Sequence, residues 1–177
     1  ELYLSHNQEK KGLQLLNRIV KDYPDNGFVQ FYLADYYRTK KDSLNTEKYI
    51  RPALANDNID NNLKVQYLLK LLVNQADLSL STDHIYRYVQ LLLEKYPGDL
   101  SVRTLNADFL KRENKLEECK KELEFIISKE KNNYLVWEEL MLLSNQLGDT
   151  AAMKSEGLEC LNYFPNEPLP YMMISLP

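Results

Sequence analysis

The sequence predicts an all-α fold built from antiparallel helix hairpins, and three observations carry that prediction. Apolar residues recur at intervals of three and four along nearly the whole chain, as on the buried stripe of an amphipathic helix. Only five of the 177 residues are glycine, well under the average of about 7%, which disfavours turn-rich all-β folds. A short aromatic–proline ending also returns at a near-constant interval. With 44% apolar residues, a chain of this length can form one ordinary domain, or one compact array, around a sizeable core.

The periodicity places helices at about 8–22, 27–40, 44–56, 62–74, 82–96, 100–113, 116–130, 134–147 and 150–163. Leu13, Leu16, Ile19 and Val20 form one stripe; Leu116, Cys119, Leu123, Ile126 and Ile127 form another. Ser81, Thr82 and Asp83 give a start signal, while Pro97 and Pro165 suit stops just beyond helix ends. Residues 1–5 read as the last turn of a helix and residues 168–177 as the first half of another. Pro52 lies inside a predicted helix, where its missing N–H and its ring should kink the helix or move its start.

Three segments end alike: Val20, Tyr23 and Pro24; Leu93, Tyr96 and Pro97; Leu161, Phe164 and Pro165. Asn58 and Lys131 hold the equivalent end position without proline. Positions 24, 58, 97, 131 and 165 are separated by 34, 39, 34 and 34 residues. The longer unit carries its extra residues mostly in 73–84, a long connection between two helical patterns.

The residues inside each unit share a pattern as well. Leu33, Ala34 and Tyr37 precede Thr46, Ile50 and Ala53. Asn106, Ala107 and Leu110 precede Cys119, Leu123 and Ile126. Trp137, Leu140, Met141 and Ser144 precede Met153, Gly157, Cys160 and Pro165, with Gly148 and Asp149 at the turn between them. A 34-residue period with these residue classes resembles the tetratricopeptide repeat (TPR) family over essentially the whole chain. The resemblance implies a right-handed superhelical solenoid of hairpins. About four full repeats are expected, at 27–60, 61–99, 100–133 and 134–167, with partial repeats at 1–26 and 168–177. Met141 and Met153 replace small residues of the family pattern, which implies wider or softer helix packing there. Asn106 stands where Leu is usual.

Neither end shows the polar outer face of a capping repeat, and the chain opens with Glu1, Leu2 and Tyr3. An internal fragment of a longer protein of this family is expected. Its 13 Tyr, with abundant Asn and Lys, resemble the composition of proteins from AT-rich bacteria.

Several function classes fit poorly. Net charge is −4, from 22 Lys and Arg against 26 Asp and Glu, and no basic stripe marks a nucleic-acid binder. The Lys-rich residues 38–41 read as a solvated helix end. The longest apolar run, residues 67–73, contains Lys70 and is far shorter than the roughly 18 residues of a membrane span. Cys119 and Cys160 are too few for a disulfide framework or a zinc site, and both fall at apolar helical positions as small buried side chains. His6 and His84 have no Cys or carboxylate partner in register, and no phosphate loop or nucleophile elbow occurs. No catalytic residue, cofactor or metal is assigned.

The resemblance implies a protein-binding scaffold that holds a peptide or protein segment on the concave face lined by the first helix of each pair. The candidate contacts are Phe28, Phe31, Asp35 and Arg38; Gln66, Lys70 and Val73; Thr104, Asp108 and Lys111; and Glu138, Leu142 and Asn145. Phe28 and Phe31, one turn apart, form an exposed apolar patch unless preceding helices cover them. Some family members clamp a terminal carboxylate with Lys, Asn and Arg. The matching positions here hold Phe31, Asp35, Tyr67, Leu135 and Glu139, none a cation or amide, which argues against that activity. Two other roles fit the scaffold: a self-associating segment of a larger assembly, or a sensory region binding a small ligand.

Overall fold

A computed structural model of the chain describes residues 9–73 and 81–176. The expected helical turn at 1–5, His6, and residues 74–80 of the long connection lie outside the described residues. Among the described residues there are ten α-helices and no strand. They divide into two compact units, Glu1–Pro97 and Gly98–Pro177. The first holds α1 (Glu9–Asp22), α2 (Gly27–Thr39), α3 (Ser43–Ala55), α4 (Asn61–Val73) and α5 (Thr82–Lys95). The second holds α6 (Leu100–Arg112), α7 (Leu116–Lys129), α8 (Tyr134–Gln146), α9 (Thr150–Leu161) and α10 (Pro168–Ser175). The nine helices read from periodicity end within two residues of these bounds.

Within the first unit α2 packs on α3 and α4 on α5, and α1 and α3 add contacts to α2 and α5. Within the second, α6 packs on α7, α8 on α9, and α10 on α9 and α8. The pattern residues of the sequence are what each hairpin buries. Leu33, Ala34, Ile50, Ala53 and Leu54 are wholly inaccessible in the first unit. Trp137, Leu140, Met141, Met153 and Cys160 form one cluster with Cys119, Leu123 and Ile126 in the second. A buried Leu or Ile of this kind stabilises by roughly 1.5–3 kcal/mol. Both cysteines are free and buried, and burial pushes each thiol up to about 11.

The turn inside a hairpin has one geometry in three places. Lys41, Asn114 and Gly148 each adopt left-handed backbone, with φ of 59°, 57° and 73°. The next residue's N–H reaches back five positions: Asp42 to Tyr37 O, Lys115 to Leu110 O, and Asp149 to Ser144 O, at 2.9–3.0 Å. This is the Schellman closure of a helix, which satisfies carbonyls the helix end leaves open. The carboxylates of Asp42 and Asp149 then cap the following helices by accepting from Asn45 N and Ala152 N, both at 3.0 Å. Asn45 holds the Asp42 carboxyl below its ordinary range, and Lys120 does the same for Asp149.

Pro52 does not move the start of its helix. Helix α3 begins at Ser43 and runs through Pro52 to Ala55. The proline falls in the last turn, and both it and Lys48, whose carbonyl loses its donor, are exposed. Asn106 is buried at a Leu position, yet its Nδ2 donates to Glu122 Oε1 at 3.1 Å. Glu122 also receives Arg103 Nη1 at 2.8 Å, and that guanidinium lies over the Phe125 ring. Ser144 Oγ likewise donates at 2.8 Å to Oε1 of Glu156, the residue one period after Glu122. Met141 and Met153 are fully enclosed. Lys64 is buried, and its ammonium donates to Asn61 Oδ1 and Tyr96 Oη and lies over the Tyr96 ring.

Gly27 marks a close approach between α2 and the connection leading to α4. A Cβ there would sit 2.3 Å from Ile59 Cδ1 and 2.9 Å from Asn56 Nδ2, whereas one at Gly98 would meet nothing. Gly27→Ala should therefore lose about 1–3 kcal/mol of stability, and Gly98→Ala should stay within about 0.5 kcal/mol of wild type. Denaturant midpoints compare them directly. In the turns, Lys41→Gly should raise stability by about 1 kcal/mol by removing a Cβ from left-handed backbone, and Gly148→Ala should lower it by a similar amount. Equal effects of these two changes in thermal unfolding would contradict the turn geometry.

Candidate functional site

The sequence-derived candidates lie on first helices α2 and α4 in one unit, and α6 and α8 in the other. On α2 the structure separates the two phenylalanines. Phe28 is 52% exposed and borders a shallow cleft with Tyr23, Asn26, Asn58 and Ile59. Phe31 is half-buried, its ring 4.2 Å from that of Tyr67 on α4. The following first helix, α4, supplies that part of its cover.

Asp35 joins α2 to α4. It accepts from Tyr67 Oη at 3.1 Å, from Lys70 Nζ at 2.9 Å and from Arg38 Nε at 3.3 Å. Tyr67 is buried, and burial together with the Asp35 carboxylate raises its phenol well above the ordinary range. Asp35, Arg38 and Lys70 thus spend polar groups on one another. Gln66 and Val73 are exposed on α4.

The second unit offers a better-formed feature. Lys111, Leu135, Glu138, Glu139, Leu142, Leu143 and Gln146 line one open groove of about 320 Å³ along α8. Leu135 and Leu142 are 73% and 44% exposed, and seven residues apart they share one helix face. Lys111 Nζ reaches from α6 to Glu139 Oε1 at 2.7 Å, a bond that raises the lysine above its ordinary range. Three of the sequence-derived candidates, Lys111, Glu138 and Leu142, meet here. Thr104 turns its hydroxyl back to Leu100 O at 2.8 Å, and Asp108 and Asn145 are exposed nearby in sequence.

The candidate contacts read from the sequence omit Leu135, Glu139, Leu143 and Gln146 of this lining. Leu135 is the second residue of its first helix, as Phe28 is of α2, so the repeat period was a signal for it. Among the described residues no group of His, Cys, Asp and Glu could hold a metal ion, and no helix is long and apolar enough to cross a membrane.

The partners of Asp35 make it a structural hub, so Asp35→Ala should cost about 1–3 kcal/mol by leaving the buried Tyr67 hydroxyl without its acceptor. Urea denaturation reads the loss; an unchanged midpoint would show that the cluster contributes nothing to stability.

No family model matches the chain, and no curated protein matches it. Solved structures do. The chain is similar to the crystal structure of the P58(IPK) TPR domain, with TM-score 0.52 and 17% identity over 97% of this chain and 51% of that one. It is also similar to PilW, a widely conserved type IV pilus biogenesis factor, with TM-score 0.50 and 11% identity over 97% of this chain and 77% of that one. The chain therefore spans about half the length of the P58(IPK) structure. At such identities the likeness is one of architecture. The fold is TPR-like, an all-α series of helix hairpins.

Proposed function

We propose that this chain is a protein-binding scaffold that holds a peptide or protein segment on the face lined by its first helices. One observation carries the reading: Leu135 and Leu142 stand exposed on one side of α8, in a groove whose other wall is set by Lys111 of α6. Paired exposed leucines in a concavity suit contact with a partner better than contact with water. The fold supports the same role by analogy, since TPR-like hairpin arrays present such faces. The acidic net charge of −4 suits a protein partner rather than a nucleic acid. Nothing in the groove resembles catalytic machinery, so the reading is one of binding.

A second reading, self-association, draws on Leu158, Tyr171 and Met172, each more than half exposed on α9 and α10. Light scattering across a concentration series separates it from the first, because self-association raises the mass without any added partner.

The variant Leu135→Ser/Leu142→Ser tests the main reading. Both side chains are largely exposed, so stability should change by less than about 1 kcal/mol. Affinity capture from the source cell's lysate should lose specific partners with this variant while circular dichroism stays unchanged. Retention of the same partners would place the docking face elsewhere.

A further inference from the structure

The groove along α8 has a chemical bias as well as a shape. Between Leu135 and Leu142, on the same side of the helix, stands Glu138. Glu138 is half-buried and makes no hydrogen bond or ion pair among the described residues. Glu139 lines the same groove, and Asp108 stands exposed on α6 one turn from Lys111. Among the described residues of the lining the one cation is Lys111, already held by Glu139 at 2.7 Å. An incoming segment thus meets two leucines and a carboxylate with no cation of its own. A like charge brought against Glu138 would be repelled, and a neutral segment would leave its carboxylate desolvated.

Spacing adds a second constraint. Seven residues at a rise of 1.5 Å put the two leucines about 10 Å apart along α8. Residues i and i+7 of a partner helix match that distance. So do residues i and i+3 of an extended polyproline-II segment, which emerge on one side about 9 Å apart.

We infer that the occupant of this groove is a basic amphipathic peptide segment: two apolar side chains about 10 Å apart seat on Leu135 and Leu142, and a Lys or Arg between them pairs with Glu138. The inference rests on the reading that this face docks protein, and it adds the class of partner. The ion pair supplies choice of partner more than strength, because a rim pair is screened by salt.

The test is selection from a random 12-residue displayed peptide library, run in parallel on the wild-type chain, Glu138→Lys and Leu135→Ser/Leu142→Ser. Wild type should enrich peptides with two apolar residues at one of these spacings and a Lys or Arg between. Glu138→Lys should lose that basic preference or exchange it for an acidic one. The leucine variant should enrich no such consensus. For a synthesised wild-type winner, Glu138→Gln should weaken binding about threefold to fivefold in fluorescence anisotropy, with the gap closing at high salt. A leucine-dependent consensus that lacks a basic position, or one unchanged by Glu138→Lys, overturns the inference while leaving the docking face intact. Absence of any leucine-dependent enrichment overturns the inference; combined with partners still captured by the leucine variant, it overturns the docking face too.

Discussion

Every hairpin here depends on the mutual burial of one stripe from each of its two helices. Leu33 and Ala34 of α2 close against a second helix whose Ile50, Ala53 and Leu54 are equally inaccessible. Trp137, Leu140 and Met141 of α8 do the same with Met153 and Cys160 of α9. None of these helices, at 12 or 13 residues, is long enough to persist alone in water. Once the stripe is buried, the opposite side of the first helix is released from any duty to the core. That release is what allows Leu135, Glu138 and Leu142 to face outward on a helix that is otherwise well packed.

The stripe was legible because its period is a property of the helix. Leu116, Cys119, Leu123, Ile126 and Ile127 announce α7 whatever surrounds them, and helix bounds followed to within two residues. The repeat was legible for the same reason at a longer interval. Side-chain pairings were not. Nothing in the spacing says that Asn106 would meet Glu122, that Lys64 would be buried against Tyr96, or that Phe31 would lie on Tyr67. Each depends on which rotamer reaches across a helix pair, and composition carries no record of that.

The turns show a second limit. Gly148 advertises its left-handed backbone, since glycine bears little cost there. Lys41 and Asn114 adopt the same conformation and advertise nothing comparable, although asparagine tolerates it better than lysine. The helix-ending hydrogen bonds impose the geometry, and the residue type yields to them. The candidate site divides along the same line: the first-helix face was readable from the repeat, whereas the groove required knowing that Lys111 and Glu139 bond across α6 and α8.

The carboxylates at Glu122 and Glu156, one repeat apart, fix more than their own partners. Apolar stripes are forgiving along their length, for leucine slides past methionine with little penalty. A hydrogen bond to Asn106 or Ser144 is not forgiving, because a slip of one helical turn, about 5.4 Å, would leave a half-buried acid facing hydrocarbon. These two acids act as detents on a sliding joint. They allow the greasy surfaces to supply adhesion while a polar contact sets the axial register of α6 against α7 and of α8 against α9.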